Sequence, residues 1–445
     1  MSVILTENEA KILLKKVLSY SKADECEINL SGNINGNIRY ARNEVSTSGA
    51  LTNQNLQVQS AFGKKVGVAT IDEFDDASLE KVVRRSEELA RLAPENPEFM
   101  GVLEPQQYMK SEGYFDSTAN INPDVRAEAV MKSLKLTREQ KLVAAGFLED
   151  SKGYSSMMNS KGLFAYYKST NINYSLTVRT EDGTGSGYVI KGFSDVNKLD
   201  TAAATTIAIQ KAVGSKSAKA LEPGKYTVIL EPTAAAVLLE NIYFDMDARS
   251  ADEGRSFFSK QGGKTKLGEK IVDERVTIFS DPAYADLPAS PWAGDGQAQE
   301  KRMWIENGVV KNLSYSRFWA KEKGVKPIPF PSNVIMLGGT ATLDEMIKST
   351  KRGILVTKLW YIRAVDPQTL LQTGLTRDGT FYIEDGKIKY PIKNFRFNES
   401  PIIMLNNLEM LGKTERVVST ESNQNYMVPP MKIREFTFSS LSDAV

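Results

Sequence analysis

The stretch LEPGKYTVILEPTAAAVLLE, residues 221–240, running on as NIYFDMDARSADEG through residue 254, decides how the second half of the chain is built. Pro223 and Gly224 make a turn, and YTVIL is a short apolar run bounded by turn residues, the pattern of a buried strand. Pro232 and Thr233 then open a helix, because the fixed φ of proline suits the first helical position. Val237, Leu238, Leu239, Ile242, Tyr243 and Phe244 give that helix its apolar stripe, and one carboxylate, Glu240, stands inside it. A charge there has three readings. It is a group left from chemistry, a buried partner for a lysine or arginine, or a solvated position at the helix edge.

Downstream, from about residue 275, the chain reads mainly as strands. MWIENGVVKNLSY turns at Asn-Gly and TFYIEDGKIKYPI at Asp-Gly, the two strongest short hairpin signals. Upstream, helices and strands mix. Thr6 and Glu9 form a capping box for a helix over residues 6–20. Residues 26–70 read as strands, with NLQVQSAFGKKVGVAT alternating on both sides of a turn. A helix follows over 76–92 and stops at Pro94. Residues 93–122, with Pro94, Pro97 and Pro105, read as a linker. Asn122 and Pro123 open a helix to about Lys141, a strand meander turns at NSKG and EDGTG, and Asp200 begins an alanine-rich helix. The fold class expected is α+β: a mixed α/β N-terminal region followed by a β-rich, mostly antiparallel C-terminal domain. The boundaries expected are 1–100, 101–220 and 221–445, the last unit carrying the helix of Glu240.

The 445 residues exceed one ordinary core, so more than one domain is expected. Lys+Arg number 56 against 55 Asp+Glu, a net charge of +1, which supplies no long-range field for nucleic acid or an anionic membrane. No run reaches the roughly 18 apolar residues of a membrane span, and the start of the chain lacks the pattern of a signal peptide. A cytoplasmic location is the expectation. The single cysteine, Cys26, excludes an internal disulfide. The absence of any histidine removes Ser-His-Asp and Cys-His mechanisms and the usual imidazole ligands of zinc. A metal here would need carboxylates and carbonyls.

Several segments together resemble the TldD/PmbA (TldE) family of metallopeptidase-related proteins, once described as modulators of DNA gyrase. They are LEPGKYTVILEPTAAAVLLE, KLGEKIVDERVTIFSDP, STKRGILVTKLWYIR, VDPQTLLQTGLTRDGTFYIEDGKIKYPIKNFRFNES and MVPPMKIREFTFSS. The TldD branch of that family carries HExxxH on the helix after the strand, two histidines holding zinc and the glutamate activating water. The resemblance places the histidine positions at Leu239 and Phe244 and the general base at Glu240. Neither apolar residue can ligate a metal. The pattern is similar to the PmbA/TldE branch, and it implies a subunit without zinc of its own in a peptidase acting on small or unstructured peptides. Zinc is then expected only in a TldD-like partner. The alternative is a stand-alone peptide- or partner-binding protein, as a homodimer.

Further candidates come from the residues themselves. Arg377 and Asp378 in TRDGTF sit at a turn, where an Arg-Asp pair can take a peptide's carboxylate or backbone, or Asp-Gly is turn chemistry alone. Asp245, Asp247, Asp252 and Glu253 could gather a hard cation, but the spacing lacks the frame of a calcium loop. Arg249 and Arg255 among them point to a salt-bridged helix end.

Overall fold

The computed structural model describes residues 3–442. The first half opens with helix α1 (Glu7–Ser19), strands β1 (Glu25–Ala41), β2 (Glu44–Phe62) and β3 (Lys65–Ile71), and helix α2 (Asp76–Leu92). The short helix α3 (Asp116–Ala119) precedes α4 (Pro123–Glu139), then β4 (Leu142–Asn159), β5 (Phe164–Thr180), β6 (Ser186–Phe193) and α5 (Thr201–Gly214). The caps expected at Thr6, Asn122 and Asp200 are in place: Thr6 and Glu9 close the capping box of α1, and Asn122 and Asp200 accept from the backbone of α4 and α5, as Asp75 does at α2.

The six strands form one antiparallel sheet in the order β3-β2-β1-β4-β5-β6. Strand β1 pairs with β4 from Glu27↔Asn159 to Tyr40↔Gly146, so a single sheet runs continuously from the strands before residue 100 to those after it. All four long helices cover one face. Leu14 and Val83 pack with Ile28 and Leu30 at one end, and Val130 and Ala208 with Ile38 and Tyr40 at the other. Under α4 the Arg126 guanidinium reaches Asp150 at 2.7 Å, both buried. It passes over Gly36, where a Cβ would lie 2.0 Å from Arg126 Nη1.

The second half centres on β7 (Gly224–Leu230), which lies inside a nine-stranded sheet. It runs parallel to Arg352–Val356 and antiparallel to Met431–Leu441. Both Asn-Gly and Asp-Gly hairpins form where expected. Helix α6 (Pro232–Phe244) follows β7 and is buried on every side from Ala234 to Ile242 except at Asn241. The α+β class and the β-rich second half therefore hold. Among the described residues, no helix is long and apolar enough to cross a membrane.

The stretch 93–122 differs from a free linker. Arg317 donates to Gly101 O at 2.7 Å and to Met100 O at 3.0 Å. The Tyr108 and Ser111 hydroxyls donate to Gly296 O and Pro282 O, each at 2.8 Å. Its prolines keep residues 96–112 out of helix and strand, but its carbonyls and hydroxyls tie it down as a strap across the second half.

Candidate functional site

Helix α6 is fixed at its start by Glu231, its N-cap, whose carboxylate meets Lys211 of α5 at 2.6 Å. Beside that ion pair a cleft of about 550 Å³ separates the two halves, walled by Tyr188, Leu355, Phe381 and Val417. Near the other end of α6, Glu240 is only 5% exposed. Ser422 Oγ donates to Glu240 Oε2 at 2.7 Å, and the Ser419 and Tyr426 hydroxyls lie near the carboxyl. Burial pushes the Glu240 carboxyl above its ordinary value; the hydroxyls pull it partly back, and the nearby Glu421 adds to the rise. The neighbouring Tyr243 packs on Tyr426 with ring centroids 5.7 Å apart. Its hydroxyl is buried without a hydrogen-bond partner among the described residues.

This corrects the two plainer expectations for Glu240. Among the described residues no lysine or arginine pairs with it, and it is not solvated at a helix edge. The loop 419–424 closes over this face of α6, a long-range contact that helical periodicity does not carry.

The two zinc-ligand positions lie in unlike surroundings. Leu239 is 0% exposed in the core, while Phe244 is 52% exposed and stacks on Phe330 at 6.3 Å with planes 1° apart. Neither side chain has a donor atom, and Cys26 is buried in β1 in the other half, so these positions do not fit a zinc ion. The acidic run is engaged carboxylate by carboxylate. Arg249 bonds Glu98 and Glu253, Arg255 bonds Glu253, and Lys323 meets Asp252 at 3.2 Å. Asp247 caps the next helix, and Asp245 accepts from Ser256 and the Phe257 amide, its carboxyl pushed up to about 6 by burial. No group of three or more side chains placed to hold a metal occurs among the described residues.

Arg377 and Asp378 part company. Asp378 is buried with φ +56°, and its oxygens are taken by Lys358 Nζ at 3.1 Å and Ser186 Oγ at 2.6 Å. Ser186 belongs to β6, so this polar cluster joins the two halves. Arg377 instead lies over the exposed Trp360 ring at 4.3 Å. Trp360 adjoins Tyr361, also exposed and at φ +57°, whose amide donates to Glu421 at 2.8 Å. The loop 419–422 thus bonds Glu240 through Ser422 and the aromatic patch through Glu421. Sequence reasoning missed Ser419, Ser422, Tyr426, Lys358 and Trp360. The only local signal was the hydroxyl-rich run STESNQ, which reads as a turn.

Three family models match the chain in order: PmbA/TldA metallopeptidase domain 1 over residues 26–90, the central domain over 119–216 and the C-terminal domain over 223–440. Among curated relatives, a metalloprotease of Methanothermobacter thermautotrophicus is 24% identical over 60% of this chain and 62% of its own length. A Buchnera aphidicola TldD homolog is 26% identical over 52% of this chain and 51% of its length, so the chain's match spans only part of these two relatives. A TldD homolog of Haemophilus influenzae is 22% identical over 85% of both chains. In structure, TldE of Thermococcus kodakarensis superposes with a TM-score of 0.85 at 21% identity, over 97% of this chain and 99% of that one. A Thermotoga maritima protein described as a modulator of a DNA gyrase gives 0.85 at 16% identity, over 97% and 100%. These superpositions speak for the fold. Matched in order by all three domain models, the chain belongs to the PmbA/TldD metallopeptidase family.

Proposed function

We propose that this chain is the TldE-like subunit of a two-subunit metallopeptidase, carrying no zinc itself and acting with a zinc-bearing TldD-like chain on small or unstructured peptides. One observation carries the reading. The ligand positions of the family motif hold Leu239 and Phe244, and the glutamate between them is capped by Ser422 in a buried polar cluster. A carboxylate without a metal-bound water beside it has no nucleophile to activate. The stack of Arg377 on Trp360, tied to the same loop, is the surface offered to peptide.

The test is a peptidase assay on an unstructured peptide, with metal analysis, for this chain alone and mixed with a TldD-like chain from the same source. Activity in the mixture only, with zinc in the partner only, is the expected result. Activity with bound metal in this chain alone overturns the proposal. No activity and no complex in the mixture favours the stand-alone binding protein.

A further inference from the structure

We propose that the cleft between the two halves binds a free α-amino acid with a large apolar side chain, its ammonium held by Glu231 and its carboxylate by Lys211. The cleft encloses about 550 Å³. Small-molecule sites occupy about 300–1,000 Å³. Its walls come from both halves: Ile207 of α5 from the first, and Leu355, Phe381 and Val417 from the second. The last three are nearly buried in the protein, whereas Ile207 is exposed.

The charges that line the cleft cancel. Lys211 meets Glu231 at 2.6 Å and Lys191 meets Glu415 at 3.9 Å, each pair joining one half to the other. A net anion such as phosphate, or a net cation, finds no excess of the opposite sign here. A zwitterion finds both. The Lys211–Glu231 pair is the more enclosed, its side chains 15% and 17% exposed against 31% and 52% for the other. Neither member is used up. Glu231 is the N-cap residue of α6, but its side chain makes no capping bond, and Lys211 is the one hydrogen-bond partner of its carboxylate among the described residues, through Oε2. Oε1 is left to accept. Lys211 spends one of its ammonium N–H groups there and keeps the others.

An α-amino acid carries its ammonium and carboxylate on one carbon, so both reach this adjacent pair together. The ammonium donates to Glu231 Oε1, and a carboxylate oxygen accepts from Lys211 Nζ. In a dipeptide a peptide unit, about 3.8 Å between Cα atoms, separates the two charges and the match is lost. The side chain lies against Leu355, Phe381 and Val417, which favours leucine or phenylalanine over glycine. The cavity beside Asp378 offers nothing comparable: Asp378 is taken by Ser186 and Lys358, and Asp182 by Thr180, Thr184 and Lys216. Glu231 stands at the start of α6 and Glu240 near its other end, and the inference does not rest on the function proposed above.

The experiment is isothermal titration of the full chain with L-phenylalanine, beside glycine, N-acetyl-phenylalanine, phenylalaninamide and the dipeptide Phe-Phe. Phenylalanine should bind, and each of the other four about tenfold more weakly or worse, because each loses a charge-assisted hydrogen bond or the apolar contact. Ile207→Trp fills the cleft from an exposed position and should abolish binding. Glu231→Gln keeps an acceptor for Lys211 and should weaken binding about tenfold. Circular dichroism checks that both variants are folded. No binding of phenylalanine at millimolar concentration, equal binding of any of the four comparison ligands, or unchanged binding by either folded variant overturns the proposal.

Discussion

Ser422 reaches across 182 residues of sequence to donate a 2.7 Å hydrogen bond to Glu240, and in doing so closes the loop after Val418 over helix α6. The bond is made to a carboxyl whose folded-state pKa is raised, chiefly by burial. In that situation the folded state holds its proton longer than the unfolded chain does. Stability attributable to the group is therefore highest below the ordinary carboxylate range. It falls as pH rises through the interval between the unfolded and folded values, and stays lowered above it. Glu240→Gln keeps the shape and an acceptor for Ser422 but cannot ionise. Burial raises other carboxyls as well, Glu27 and Asp245 among them, so the difference between variant and wild type is the useful quantity. In urea unfolding across a pH series, the Gln variant should gain on the wild type as pH rises from acid towards neutrality. A constant difference would show that Glu240 is not held as described.

Lys358 and Asp378 make the corresponding test for the join between the halves. Both side chains are largely buried, 3.1 Å apart, and Lys358 also sits 3.7 Å from the Tyr188 ring centroid. Burial holds the Lys358 ammonium below its ordinary value despite the attraction of Asp378. Asp378→Asn tolerates the left-handed backbone and removes the charge. It should cost about 3 kcal/mol or more, because an unpaired ammonium is left behind. Lys358→Met should cost a similar amount, and the double variant much less than the sum. Additive losses in denaturant unfolding would mean that the pair is not coupled.

What the sequence disclosed follows from the range of each interaction. The caps Thr6, Asn122 and Asp200 bond within three residues of themselves, so the starts of α1, α4 and α5 were legible. Hairpin turns at Asn307-Gly308 and Asp385-Gly386 were legible for the same reason. Strand order was not, since β1 finds β4 across more than a hundred residues. The surroundings of Glu240 were hidden likewise: its position was readable as out of pattern, but Ser422 and Tyr426 come from a distant loop. Asp378 read as a peptide-binding candidate or as turn chemistry, because Asp-Gly marks turns. Only the packing of β6 against it shows that its carboxylate is enclosed.

The strap over residues 93–122 should behave as a clasped segment rather than a flexible connection. Arg317→Ala removes two charge-assisted hydrogen bonds to Met100 O and Gly101 O. A loss of about 1.5–3 kcal/mol is expected from such bonds. Local opening should rise with it, so a broad-specificity protease should cut the variant within this stretch well before it cuts the wild type. Equal cleavage rates would place the anchoring elsewhere, at Tyr108 or Ser111.

Trp360 carries the prediction most closely tied to function. It is exposed, stacked under Arg377 and connected through Tyr361 and Glu421 to the loop that holds Glu240. An aromatic ring paired with an arginine at a surface is the composition of a binding hot spot. In the two-subunit enzyme proposed above, Trp360→Ala should lower kcat/KM for an unstructured peptide about tenfold, equivalent to about 1.4 kcal/mol. The loss should appear in KM, because the residue touches no catalytic group. Trp360→Phe keeps a ring for Arg377 and should retain most of the activity. If the alanine variant keeps wild-type kcat/KM while the complex stays intact, peptide does not cross this face. A loss of complex formation instead would make the patch a subunit contact, and gel filtration of the same mixture separates the two outcomes.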